Sequence, residues 1–474
     1  MNIKNVFSRV LWIILGGIML VQIVSGICWM AANFTNIPVF GDSTEYFNLS
    51  QTLQVDEYRP ILYPLLIRIA VKLCAWLPFQ YQTLLYIGQT GLSLLCIVYL
   101  TWQLCSIFAP ALKKERRSLF IAGVIFVSLY ILCIPMITFM NLTVLTDSIA
   151  TSMLLSAIGA LVRIFHSKTP FGGDFLVVLF SMVIEYTVRA DRLYTCTLFL
   201  FITLTVYVVK NRRNAFFRRA AALSLSVVLF SAGIAGGINK ATQQPGLYGR
   251  IPTTLGFVLL DRIVWPNMVE NYRDFPAEIQ KLITREEAKT FDSHNNNVMY
   301  QMAPLLRERA GEERAEEIYK EMAGIVFRNH PAKVIMDIAE DILCVVFTPV
   351  SAFLSMYGLA DTADDWNLHC VSQNSVRLSN FYYQFYLYTF IILFILSVLL
   401  FLSAVILKKK RGRGRPGAVF RLLAPGFLLC VIIALWFSVG DGAPPNDRYA
   451  LLHYVIWTFW VLGTMYDRLR PARS

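Results

Sequence analysis

The stretch IILGGIMLVQIVSGICW, residues 13–29, decides the fold. It carries no charged side chain, and its length is close to the roughly 20 apolar residues that cross a bilayer core. Lys4 and Arg9 precede it. Basic residues flank membrane helices on the cytoplasmic side, so the N-terminus is expected inside and the residues after Trp29 outside. No small-residue cleavage site ends the run, which therefore reads as a retained helix. A charged segment follows: Gly41-Asp42-Ser43-Thr44-Glu45-Tyr46, then Arg59-Pro60-Ile61-Leu62-Tyr63-Pro64. Two carboxylates, an arginine and two tyrosines at a membrane surface suit a charged lipid headgroup. They equally suit an ordinary polar loop.

Working outward, Leu62–Pro78 is apolar but carries Arg68 and Lys72 on one helical face. Charges at mid-bilayer are costly, so this reads as a helix lying on the outer surface. Leu84–Phe108 crosses inward to Lys113-Lys114-Glu115-Arg116-Arg117. Phe120–Met140 goes out, Ile149–Phe165 returns to Arg163 and Lys168, and Phe175–Val188 goes out again. Leu193–Val209 returns to Lys210-Asn211-Arg212-Arg213, and Ala220–Ile238 leads to the one long polar region, residues 239–380. Within it Ala277–Thr290 and Glu308–Asn329 read as helices, Pro331 opens the next, and Ile342–Tyr357 reads as an interfacial segment. Phe381–Leu407 runs in to the basic cluster Lys408–Arg415, Leu422–Val439 runs out, and Leu451–Met465 returns.

The expected fold is thus an all-α polytopic membrane protein of about ten transmembrane helices, both termini cytoplasmic. Residues 1–238 form an N-terminal membrane module with its first outer loop at 33–83. Residues 239–380 form a long, mostly helical outer region, and residues 381–474 the last membrane helices. Hydrophobicity alone defines the spans, and the basic short loops then fall inside and the acidic ones outside. A bacterial inner (plasma) membrane is the expected location.

Composition agrees. Of 474 residues 56% are hydrophobic and 16% charged, against about a quarter charged in soluble domains. The net charge of +12 sits mostly in the inner loops as orientation signals, and nucleic acid is not an expected partner. No phosphate loop, dinucleotide fingerprint or zinc spacing is present. The 9 cysteines lie mostly in apolar runs as small hydrophobes. His294, His330 and His369 are too dispersed for a metal site, no Asp-x-Asp stands in the outer loops, and no metal or cofactor is indicated.

Four outer segments then share one face: Asp42, Glu45, Tyr46, Arg59 and Tyr63; Asp147; Glu185, Arg189, Asp191 and Arg192; and Asp447, Arg448 and Tyr449. A carboxylate there serves as a general base on a hydroxyl or holds a sugar, and arginines match phosphate in a fork. A reaction using both takes a sugar from a lipid phosphate, and it needs no nucleotide loop. Each residue has a plainer reading too. Asp42 and Asp147 suit helix starts, Arg189 and Arg192 suit ion pairs with Glu185 and Asp191, and Arg448 suits an interfacial position.

The order Asp-Ser-x-Glu-Tyr, then Arg-Pro-x-x-Tyr-Pro, after a first span resembles the integral membrane glycosyltransferases of the GT-C superfamily. The likeness is strongest to the group holding protein O-mannosyltransferases and the aminoarabinose transferase of lipid A. Thr146-Asp147-Ser148 is similar to the acid opening that family's fourth span, Arg448-Tyr449 to a pair before its last spans, and Asn329-His330-Pro331 to a His-Pro ahead of a late surface segment. The resemblance implies that Asp42 is the catalytic base of an inverting transfer. The sugar would come from a polyprenyl-phosphate donor and pass to a hydroxyl of a glycolipid, cell-envelope glycan or protein outside the cytoplasm. Glu45, Tyr46, Arg59, Tyr63, Asp147, Arg189, Arg192, Arg448 and Tyr449 would then bind substrate. Many members carry Asp-Glu where this chain has Asp42-Ser43, with the second acid at Glu45. Two other readings stay open. A lipid-linked glycan polymerase or ligase would place its essential residues in the long outer region. A lipid or glycan transporter would line its spans with charges at depth, and these spans are nearly free of them.

Overall fold

The structure is a computed structural model of the chain. It describes residues 3–34, 41–55, 59–166, 172–189, 217–242, 259–291, 302–337, 381–386 and 388–390, with single positions elsewhere. The described residues are helical, with no strand among them. Four helical segments are long and apolar enough to cross a membrane: Val10–Asn33, Tyr81–Ala111, Asp147–Ile164 and Leu225–Thr242. The chain divides into two compact units. Unit 1 is Met1–Gln244, Phe353–Leu429 and Leu451–Ser474, and unit 2 is Pro245–Ala352 and Cys430–Ala450.

In unit 1 the helices are α1 (Ile3–Asn33), α2 (Gly41–Thr52), α3 (Leu62–Cys74), α4 (Tyr81–Phe108) and α5 (Lys114–Leu132). α6 (Pro135–Asn141), α7 (Asp147–His166), α8 (Gly173–Val188) and α9 (Phe217–Thr242) follow. α7 is the central one: 89% of its span is buried, against 33% for α1 and 17% for α9. It packs between α4 and α8. Small side chains allow this. A Cβ on Gly159 would lie 3.3 Å from the Leu100 Cα, and close helix approach in membranes relies on small residues.

The segment expected to lie on the outer surface, Leu62–Pro78, is helical over α3, which ends at Cys74. At 13 residues it is too short to span, and it buries Tyr63, Pro64, Ile67 and Ala70 on one face. The expected span Phe120–Met140 is not one continuous helix. The helix stops at Leu132, Ile134 is extended (φ −68°, ψ 128°), and α6 restarts at Pro135. Proline has no N–H to continue the ladder and drives the residue before it out of the helical region. The Cys133 carbonyl at the break accepts from Tyr382 Oη at 2.7 Å and Gln22 Nε2 at 3.4 Å. α1 closes over it at Gly26, where a Cβ would come within 2.8 Å of the Cys133 Cβ. Trp29 stacks on Tyr382 beside it, ring centroids 5.7 Å apart.

Unit 2 has its own core. Its helices include α10 (Met268–Asn271), α11 (Ala277–Leu282), α12 (Arg285–Phe291), α13 (Ala303–Ala310) and α14 (Glu312–Asn329). Met268, Ile279, Leu306, Tyr319, Met322 and Val326 are buried together. The two helices expected here are each split. Ile283 is extended and separates α11 from α12. Thr284 then opens α12 by a reciprocal cap, its N–H donating to Glu287 Oε2 at 2.8 Å while the Glu287 N–H donates to Thr284 Oγ1 at 3.3 Å. Gly311 takes φ 83° between α13 and α14, a conformation that glycine adopts without strain. Residues 331–337 are helical after Pro331, as expected.

The expected spans Leu193–Val209, Leu422–Val439 and Leu451–Met465, the segment Ile342–Tyr357 and the cluster Lys408–Arg415 lie outside the described residues, single positions aside. Phe381–Leu407 is described mainly at its start, which is helical.

Candidate functional site at one end of the helix bundle

The polar residues of unit 1 gather where α7 begins and α8 ends. Antiparallel packing puts these two ends side by side. The start of a helix carries partial positive charge and its end partial negative charge. Asp147 is the first residue of α7, and Arg189 follows the last residue of α8. Each charge therefore sits where its own helix favours it. The two form an ion pair with side chains 1% and 8% exposed. Glu185, one turn before Arg189, is fully buried, and its backbone carbonyl accepts from the Arg189 N–H at 3.0 Å.

A second arginine–carboxylate pair belongs to the same cluster. Arg59, buried, pairs with Glu45 of α2, whose side chain is 40% exposed. The Arg59 guanidinium lies 5.7 Å from the centre of the Tyr46 ring, and Tyr46 meets Tyr63 edge-on at 5.1 Å. The Tyr63 hydroxyl donates to Gln89 Oε1 at 2.8 Å. Burial, reinforced by Tyr46, Tyr86 and the Asp147 carboxylate, holds the Tyr63 phenol well above its usual pKa. It stays a neutral donor.

The segment between α6 and α7 joins them. Gln89 Nε2 faces the carbonyl oxygens of Met140, Asn141 and Thr143 at 3.3, 3.1 and 2.9 Å. Asn141 Oδ1 accepts from Ser148 and Ser93 at 2.5 and 3.2 Å. The Ser43 hydroxyl of α2 donates to the Val144 carbonyl at 3.0 Å, so the first turn of α2 docks three residues before Asp147. Asp42, described by its backbone, is in that first turn.

Glu45, Tyr46, Arg59, Tyr63, Asp147 and Arg189 are thus brought together from four separate stretches of sequence. Arg192, Arg448 and Tyr449 lie outside the described residues. Sequence reasoning missed Gln89, Ser43 and Asn141. The signal for Gln89 was an amide inside an apolar run, where an unsatisfied polar group is costly. At the other end of the bundle Asp174 accepts from Tyr99 Oη at 2.8 Å and Gln103 Nε2 at 2.9 Å, which ties α8 to α4 near the basic turn after α4. Among the described residues no group of three or more His, Cys, Asp or Glu is placed to hold a metal ion.

The fold and site together define a helical chain with membrane-length helices and, at one bundle end, a polar cluster with one buried ion pair and one that reaches the surface through Glu45. Compared with known families, curated proteins and solved structures, the chain matches none.

Proposed function

We propose that the protein is a membrane glycosyltransferase of the GT-C type. It takes a sugar from a polyprenyl-phosphate donor and passes it, with inversion, to a hydroxyl on a glycolipid, cell-envelope glycan or protein outside the cytoplasm. The observation that supports this most is the convergence of Glu45–Arg59 and Asp147–Arg189 on one bundle end, beside the first turn of α2 that carries Asp42. Asp42 takes the acceptor hydroxyl's proton as that oxygen attacks the anomeric carbon. The bond from that carbon to the phosphate oxygen breaks, and polyprenyl phosphate leaves with the electron pair. Guanidinium groups are suited to the charge that grows on the phosphate. Each is held in place beforehand by a carboxylate, so little reorganisation is needed when the charge develops.

The test is sugar transfer by purified protein in liposomes, supplied with a polyprenyl-phosphate sugar pool, wild type against Asp42→Asn. Asparagine keeps the shape and loses the base. A general base contributes about 10²–10⁴-fold, so folded Asp42→Asn should lose activity by that order. Normal turnover by the variant would remove Asp42 from the chemistry and bring forward a polymerase or ligase acting through the long outer region. Absence of transfer by wild type across a broad donor and acceptor set would sink the reading.

A further inference from the structure

The residues between α6 and α7 form a buried loop. Every residue from Met140 to Ser148 is buried. A buried stretch outside a helix leaves backbone groups that must find partners. Some are local: the Leu142 N–H donates to Phe139 at 3.0 Å and the Leu145 N–H to Thr143 at 2.9 Å. The carbonyls of Met140, Asn141 and Thr143 also converge on one side chain, Gln89, and of these Asn141's has no local backbone donor among the described bonds of turns and caps. Gln89 is 3% exposed and lies inside a membrane-length segment, about 12 Å along the axis from the start of α4. Its acceptor is used too, by the Tyr63 hydroxyl of α3. One amide therefore links α3, α4 and the loop, and that loop receives α2 at Val144 and opens α7 at Asp147.

We propose that Gln89 is the positioning residue of this site. From inside α4 it fixes residues 140–147, so that Asp147 meets Arg189 and the first turn of α2, with Asp42, has a fixed carbonyl to dock on. Its chemical consequence rests on the glycosyl-transfer reading; its grip on the loop does not. A misplacement of about 1 Å in a reacting group costs on the order of 100-fold in rate, which is the effect expected from loosening the loop.

The variants are Gln89→Asn, which draws the amide back by one methylene, and Tyr63→Phe/Gln89→Leu, which removes the amide and the hydroxyl together so that no buried hydroxyl is stranded. Three readouts are needed on protein in liposomes: thermal unfolding, amide hydrogen exchange over residues 142–147, and kcat and KM for the polyprenyl-phosphate sugar. The expected result is a folded protein whose loop amides exchange at least about tenfold faster, with kcat down about 100-fold and, for Gln89→Asn, which leaves every substrate-binding side chain in place, donor KM changed little. Unchanged exchange would show that Gln89 does not hold the loop. Faster exchange with normal kcat, or a loss carried by KM alone, would show that loop position does not set the chemistry; either result overturns the proposal. If wild type transfers no sugar, the reaction reading fails, and exchange alone then decides whether Gln89 fixes the loop.

Discussion

Units 1 and 2 use the same chemical pair in opposite ways. In unit 1 Arg189 and Asp147 meet with side chains 8% and 1% exposed. In unit 2 Arg314 meets Glu278 and Glu317 with side chains 36%, 62% and 67% exposed. An ion pair in water gains little, because water and salt screen it and two long side chains must be ordered. A buried pair has given up its hydration and depends on its partner. The surface pairs of unit 2 are consistent with a solvated helical domain whose stability comes from its apolar core. The buried pair of unit 1 is a costly arrangement, since well-packed apolar side chains often serve a bundle as well.

Removing one partner separates the two cases most sharply. Asp147→Ala leaves the Arg189 guanidinium buried without its carboxylate, and the expected loss is about 3–5 kcal/mol. Thermal unfolding of the purified protein in detergent, read by helix circular dichroism, measures it. A loss under about 1 kcal/mol would place the pair with ordinary surface pairs and dissolve the contrast.

Arg307 of unit 2 is the intermediate case. Its side chain is 7% exposed, while its partners Glu316 and Glu312, at 3.6 and 3.7 Å, are 15% and 67% exposed. Arg307→Met keeps the packed stem and removes the charge. The expected cost is roughly 1–2 kcal/mol, since a half-buried Glu316 is left behind but keeps some access to water. Hydrogen exchange of the α14 amides reads this locally. A cost as large as that of Asp147→Ala would mean that burial of the arginine alone sets the scale, and that its partners' exposure is irrelevant.

How much was legible follows the same division. The four membrane-length helices and the short helix α3 were legible in hydrophobic runs, because burial in an apolar medium writes itself into composition. The pairing of Arg189 with Asp147 was not. Glu185 is one helical turn from Arg189 and is the carboxylate that spacing points to, whereas Asp147, which also pairs with it, is 42 residues away. Only the antiparallel packing of α7 and α8 brings it near. Gln89 was not legible because a single amide hardly disturbs an apolar run, and the backbone carbonyls that its Nε2 faces leave no mark on side-chain identity. The break after Leu132 had a visible cause in Pro135, but the apolar residues on both sides hid it. In unit 2 the Thr284–Glu287 spacing is a helix-start signature, and weighing it would have split Ala277–Thr290 at the right place.

The smallest expected effect lies at the exposed end of the comparison. Arg309 binds Glu287 in a fork, with Nη2 donating to Oε1 at 2.8 Å and Nη1 to Oε2 at 3.1 Å. Arg309 and the Thr284 cap lower the Glu287 carboxyl to about 2. The folded value lies below the unfolded one of about 4.3. The contribution is therefore fully present above about pH 5 and is lost as the pH falls toward 2. With side chains 35% and 30% exposed, solvent screening reduces it to a few tenths of a kcal/mol. Glu287→Gln isolates the charge, because glutamine still completes the reciprocal cap with Thr284. The stability difference between wild type and Glu287→Gln, read from exchange of the α12 amides, should be small near pH 7, shrink to nothing by about pH 2, and fall further in high salt. A difference that stays constant across this window would locate the effect in the cap. The exposed pair would then contribute nothing, and the contrast with Asp147–Arg189 would widen.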